Sequence, residues 1–372
     1  MSNFITKQMF YVPIEPLAER YTEQWYKNFP IEFERAGFKV TVIDGKPIND
    51  FVDVGTFLDI NSTVAYKSTQ MEKIAKLFAS KQVNPGDVFF FGDTEFWGIE
   101  VVRLLSQMNG VRVKIFSFLH AASYTKEDAI EVAAPYQKYT ELGWIASMDA
   151  VFVGSEYHKQ AVIDRRIVPF ASPEDVEPLV NKLIVTGNPL FEQDYHVFPN
   201  VVKENKIIIS NRFDWEKRPN ESLQFAYLAK KAHPDWKIVV TTSRPKFKSN
   251  KQWLVDLARS MERDGIIEIK EGLSKEQYHY ELATSKIMLS NSIEENFGYC
   301  IAEAMVYNTY PLLPNKLSHP ELVRNDSRML FNDTDEILYK MEVLMEAQDN
   351  IRWYAHMYYN VPQGLAESMY KW

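Results

Sequence analysis

The stretch SNSIEENFGYCIAEAM (Ser290 to Met305) carries two carboxylates, Glu295 and Glu303, with seven residues between them, Phe297 and Gly298 among these. The apolar run ahead of it reads as a strand, and its second half has helical spacing. Glu295 then sits on a turn and Glu303 two helical turns further on. A glycine at the helix start removes a Cβ where backbone N–H groups must approach a ligand closely. The helix N-terminus adds partial positive charge suited to a phosphate. Glu303 can accept two hydrogen bonds from a vicinal diol such as a ribose, while Glu295 faces the place where a sugar would lie. The spacing fits a nucleotide sugar. Taken alone, it fits a surface helix with solvated glutamates equally well.

A second cluster, IIISNRFDWEKRPNES, places Arg212 and Lys217 directly after an apolar run. A guanidinium grips two oxygens and an ammonium supplies a point charge. Together they suit a diphosphate leaving group, stabilising negative charge as a sugar–phosphate bond breaks, with no metal needed. The plainer alternative is a charged loop before a helix.

Both clusters need strands that end beside helix starts, and the chain supplies them. Six apolar runs occupy the first half: QMFYVPI, KVTVID, DVFFFGD, VRVKIFSFL, DAVFVGS and KLIVTGNP. Six more follow: KIIISN, KIVVTTS, IIEIKEG, KIMLSNS, YPLLPN and RMLFND. Helical patterns lie between them, one opened by a capping box of Ser274 and Gln277. Continuous Val/Ile/Phe runs imply strands buried on both faces, hence parallel, helix-covered sheets. So many strands exceed one comfortable open sheet. The expectation is an α/β chain of two Rossmann-like domains whose parallel sheets face a central cleft, with ligands at the strand C-termini. The boundaries expected are 1–190, 191–350, and a C-terminal segment 351–372 that packs back on the first domain.

The chain has 372 residues, 46% hydrophobic and 25% charged, with a net charge of −8. This balance excludes a globally basic nucleic-acid footprint, although a local patch stays compatible with it. A single cysteine, Cys300, rules out a disulfide within the chain and fits a reducing cytoplasm. It lies on the Glu303 helix and reads as buried filler. No apolar run is long enough to span a bilayer, and the opening residues lack the features of a signal peptide. The expectation is a cytoplasmic protein without membrane insertion. Asp-x-Asp in NDTDE (Asn332 to Glu336) reads as a helix N-cap rather than a metal motif.

In this order the motifs resemble those of the retaining GT-B glycosyltransferases, the large family-four group in particular. That resemblance rests on Arg212 and Lys217, on EENFGYCIAEAM, on HPDWKIVVTTS and on PLLPNKLSHPELV, and covers much of the C-terminal half. The N-terminal half is similar in outline: His120 in FLHAASY, Ser155 in VFVGSEYHKQAV and the crossover VTGNPLF. Two features depart from the family. VPIEPLAERYTEQW stands where it has a Gly-Gly loop, and TTSRPKFKSNK replaces its Gly-Asp-Gly-Pro loop.

The resemblance implies an NDP-sugar co-substrate, UDP being the commonest nucleotide, and no cofactor or metal. Glu303 would hold the ribose. Arg212 and Lys217 would hold the diphosphate with the Phe297–Gly298 amides, and Glu295 would contact the donor sugar. Arg212, Lys217, Glu295 and a cleft histidine, His120, are then the catalytic candidates, although His120 is equally well a packing residue. The resemblance also implies front-face transfer with retention, the leaving phosphate helping to deprotonate the acceptor hydroxyl.

The acceptor is read from SRPKFKSNKQW, where Arg244, Lys246, Lys248 and Lys251 alternate with Phe247 and Trp253. Cations with aromatics suit a nucleic-acid backbone and an unstacked base; a solvated loop is the alternative. The first half also looks similar to glycosyltransferase-like proteins of tailed bacteriophages, which makes a hydroxymethylated base of phage DNA, in a host cytoplasm, a candidate acceptor. A glycan or small-metabolite transferase of a bacterial surface pathway, a non-catalytic nucleotide-sugar-binding scaffold, and an epimerase or phosphorylase remain as alternatives. The sequence does not set the oligomeric state.

Overall fold

The computed structural model describes residues 7–17, 20–48, 59–126 and 130–372. The opening residues 1–6, read above for a leader, lie outside them. The chain divides into two units, Met1–Phe191 with Asn360–Trp372, and Glu192–Tyr359. Each is built on one six-stranded parallel sheet.

The first sheet contains β1 (Gln8–Val12), β2 (Lys39–Val42), β3 (Val88–Phe91), β4 (Lys114–Leu119), β5 (Ala150–Val153) and β6 (Leu183–Val185), in the order β2-β1-β3-β4-β5-β6. Each of these strands lies in one of the apolar runs. Phe89, Phe90 and Phe91 are wholly buried, as expected when helices cover both faces. One covering helix, Tyr21–Arg35, was not evident in the sequence because Pro30 lies inside it. It still forms because Trp25, Phe29 and Phe33, at intervals of four, present one aromatic stripe to the sheet. Phe29 and Phe33 stack at 5.0 Å, and Phe33 meets Phe90 edge-on at 5.2 Å.

The second sheet contains β7 (Glu204–Ile209), β8 (Lys237–Thr241), β9 (Glu268–Lys270), β10 (Ser285–Leu289), β11 (Tyr310–Pro314) and β12 (Leu330–Phe331). Its order is β12-β11-β10-β7-β8-β9. The order reverses between β7 and β10, so the crevice beyond their C-terminal ends is the topological switch point where such sheets bind ligands. The two motifs carrying Arg212 and Glu295 begin there. Across it Asn211 Nδ2 donates to Ser290 Oγ at 2.6 Å.

The segment 351–372 divides at Tyr359. Residues 351–359 stay with the second unit, where Tyr358 meets Phe297 edge-on at 4.8 Å. Residues from Asn360 onward join the first, where Tyr370 stacks on Phe38 at 4.4 Å.

Candidate functional site

After β10 the backbone turns through residues 290–298 and enters the helix Tyr299–Val306 at Gly298. Gly298 has φ +98°, and a Cβ there would lie 2.8 Å from Ile301 Cδ1. Both facts demand glycine. The turn is held from two sides. Ile293 N donates to Glu216 O at 2.8 Å, and Ser318 Oγ, beyond β11, donates to Glu295 O at 2.8 Å and lies 3.2 Å from Phe297 O.

Lys217 ends the short 3₁₀ turn Trp215–Lys217 beyond β7. Its ammonium donates to Glu295 Oε2 at 2.8 Å, both side chains being 15% exposed. Burial disfavours both charges, but each partner outweighs it for the other. Glu295 is held below the usual carboxylate range and Lys217 above the usual amine range. Arg212 is more exposed and lies 2.9 Å from Glu216, whose carboxyl is pushed up by burial. The neighbouring Cys300 is more than filler. Its thiol donates to Asn211 Oδ1 at 2.8 Å, and burial pushes it up to about 12, so it stays a thiol.

Glu303 is buried, at 7% exposure, and both its oxygens are engaged. Lys275 Nζ donates to Oε1 at 2.7 Å and Tyr278 OH to Oε2 at 3.0 Å. Both donors lie on the helix Lys275–Thr284, opened by the expected capping box of Ser274 and Gln277. Sequence reasoning missed Lys275, Tyr278 and Ser318 as site residues. The only local signal was the i, i+3 spacing of Lys275 and Tyr278, which puts them on one helix face.

The basic loop after β8 is fastened down. Phe247, read as an aromatic for bases, is only 5% exposed. It packs on Phe213 at 4.6 Å with the Arg259 guanidinium over its ring, so it anchors the loop. Arg244 approaches Asp214 at 3.8 Å. Lys246, Lys248 and Lys251 are exposed. Trp253, 49% exposed, lies 6.1 Å from Trp215, an aromatic the sequence reading passed over.

In the first unit, His120 follows β4. It is packed among Trp25, Phe118 and Tyr21 at 4.7, 5.1 and 5.3 Å. Its Nε2 lies 2.9 Å from Gly92 O, which fixes the proton on that nitrogen. Burial pushes its pKa down, so the ring is neutral. Ser155 caps the helix Glu156–Val162, accepting from His158 N at 3.0 Å. The segment that departs from the Gly-Gly pattern places Glu15 beyond β1. Glu15 is buried and accepts from Ser62 Oγ at 3.1 Å and Thr63 Oγ1 at 2.9 Å.

Asp333 acts as a cap, accepting from Asp335 N at 3.1 Å. Among the described residues no group of three or more His, Cys, Asp or Glu is placed to hold a metal ion. Nor is any described helix long and apolar enough to cross a membrane.

Residues 192–357 match the family of glycosyl transferases group 1. The match coincides with the second unit and contains Arg212, Lys217, Glu295 and Glu303. A tRNA-queuosine alpha-mannosyltransferase of Drosophila melanogaster is 33% identical over 69 residues, 18% of this chain and 18% of that protein's length. Among solved structures, sucrose-phosphate synthase of Thermosynechococcus elongatus superposes with a TM-score of 0.65 at 12% identity, covering 98% of this chain and 96% of that one. HepE of Anabaena, in complex with UDP, gives 0.64 at 14% identity over 99% and 100%. These likenesses show the fold, which is GT-B: two Rossmann-like α/β units, each with a six-stranded parallel sheet.

Proposed function

We propose that this protein transfers a sugar from a nucleoside-diphosphate sugar, with UDP as the nucleotide, to an acceptor hydroxyl, retaining the anomeric configuration. The observation that carries the reading is the gathering of Arg212, Lys217, Glu295 and Glu303 around the Gly298 turn at the β7–β10 switch point. The diphosphate lies against Arg212 and Lys217, the ribose against Glu303, and the sugar beside Glu295. The bond from C1 to the phosphate oxygen breaks, and its electron pair leaves with the diphosphate. That oxygen takes the proton of the incoming hydroxyl as the new C1–O bond forms on the same face. Arg212 and Lys217 supply the positive charge that a metal supplies elsewhere, so the reading is metal-independent.

The acceptor in this reading is a nucleic-acid base hydroxyl, such as that of a hydroxymethylated base in phage DNA. Two observations support it: the exposed lysines Lys246, Lys248 and Lys251 beside Trp253, and the stretch shared with an enzyme named for tRNA-queuosine.

The test is calorimetry with UDP, GDP and ADP, followed by sugar release from the matching NDP-sugars over an acceptor panel. The panel includes hydroxymethylated DNA, tRNA and simple glycans. Binding of one nucleotide and transfer to a nucleic acid is the expected outcome. Absence of binding by all three overturns the donor site. Transfer to glycans alone overturns the acceptor reading and leaves the donor site standing.

A further inference from the structure

Glu303 is the carboxylate expected to meet a ribose, yet each of its oxygens already accepts a hydrogen bond from the helix Lys275–Thr284. A carboxylate offers about four lone-pair sites, two on each oxygen. Lys275 occupies one on Oε1 and Tyr278 one on Oε2, which leaves one on each oxygen. Two acceptor sites side by side match the two hydroxyls of a vicinal cis-diol. The two donors also fix the rotation of the carboxylate.

The helix that carries them is held independently. Glu281 takes Lys206 at 3.0 Å and Lys270 at 2.7 Å, and His279 Nδ1 lies 3.0 Å from His196 Nδ1. Lys275 and Tyr278 are therefore presented by a braced element. Lys275 is only partly buried, so removing its head group leaves the core packing intact.

We propose that Lys275 and Tyr278 are positioning residues that set the pentose specificity of the donor site, orienting Glu303 to demand both the 2′- and 3′-hydroxyls. This inference rests on the proposed nucleotide-sugar reading and adds to it the two residues that make the site selective for ribose over deoxyribose. Their effect is on ground-state binding of the nucleotide, so it belongs in donor KM and in the ribo/deoxy preference rather than in kcat.

The experiment measures binding of UDP and 2′-deoxy-UDP to the wild-type chain, Lys275→Met, Lys275→Arg and Tyr278→Phe, with GDP and ADP and their 2′-deoxy forms as parallel arms. The wild type is expected to prefer the ribonucleotide by about 10- to 100-fold, the range of a charge-assisted hydrogen bond. In Lys275→Met and Tyr278→Phe the preference is expected to fall toward unity, while kcat at saturating donor stays within about threefold. Lys275→Arg is expected to restore much of the preference. An unchanged ribo/deoxy ratio in both Lys275→Met and Tyr278→Phe, with tight binding retained, overturns this inference alone. No binding of any ribonucleotide to the wild type overturns the donor-site reading and this inference with it. Tyr278→Phe guards against a folding artefact, since it keeps the ring and removes only the hydroxyl.

Discussion

The Lys217 ammonium is bonded to the Glu295 carboxylate at 2.8 Å, inside the turn that Ser318 and Glu216 hold in place. In the proposed reading a diphosphate and Glu295 compete for the same cation. Removing the carboxylate should free Lys217 for the phosphate but leave its charge unpaired. Glu295→Gln is expected to bind UDP several-fold more tightly than the wild type while losing turnover by at least ~10²-fold. It should also lose about 3 kcal/mol of stability, because breaking one side of a buried pair strands the other. Calorimetry, initial rates and urea unfolding on the same preparation check the three parts together. Lys217→Ala is the counterpart. It should reduce turnover by on the order of 10² or more, and weaker rather than tighter UDP binding should accompany it.

The same pair fixes a pH window. The Glu295 pKa is depressed in the folded chain, so its stabilisation is present above the unfolded carboxylate value, about 4.3, and is lost as pH falls through the folded value. The Lys217 pKa is raised, so its contribution is complete below the unfolded amine value, about 10.4, and is lost as pH rises past the folded one. The stability difference between the wild type and Glu295→Gln should be greatest above about pH 5, shrink on the acid side as Glu295 protonates, and shrink on the alkaline side as the stranded Lys217 of the variant, its charge disfavoured by burial, loses its proton. Urea midpoints across pH 3–9 test it; a difference that grows on acidification contradicts the pairing.

The inner strands such as β3 and β5 were legible because each is a continuous apolar run, as strands buried on both faces must be. The capping box and the Asp333 cap were legible because their partners lie within three residues. The helix Tyr21–Arg35 was not, because Pro30 argues against a helix locally while Trp25, Phe29 and Phe33 win it back through contacts far along the chain. Lys275 and Tyr278 escaped for a related reason. Their partner Glu303 is on another helix, and no spacing rule links the two. Phe247 misled in the opposite sense: flanking lysines made it look exposed, whereas its partner Phe213 is a residue of the preceding strand-end loop.

Gly298 should tolerate no side chain. At φ +98° an L-residue is strained by about 1–2 kcal/mol, and the added Cβ would press on Ile301 Cδ1 at 2.8 Å. Gly298→Ala is expected to lose about 2 kcal/mol or more and to raise donor KM, since the turn carries Glu295. Ile301→Val removes the offending methyl. The double variant should therefore recover the steric part and keep the backbone part, a favourable coupling in the cycle. Thermal unfolding of the four proteins measures it, and strict additivity would show that the contact plays no role.

The loop after β8 joins a buried aromatic anchor to three exposed lysines. Phe247 is buried against Phe213 and beneath Arg259, so Phe247→Ala should cost about 3 kcal/mol through the cavity it leaves. Lys246, Lys248 and Lys251 are exposed, and replacing all three with alanine should leave stability nearly unchanged. If they track a phosphate backbone, their loss weakens nucleic-acid binding uniformly across sequences. It also lowers the slope of log K against log salt by about 2, since each single-strand phosphate contact contributes roughly 0.7. Trp253→Ala should behave differently. A stacking contact is worth about 1–3 kcal/mol per base and depends little on salt, so affinity should fall while the slope is preserved. Salt titrations of binding to a short hydroxymethylated single strand read both effects. A triple-lysine variant whose slope matches the wild type would remove this loop from the acceptor surface, whereas a changed slope with unchanged UDP affinity would assign it to the acceptor alone.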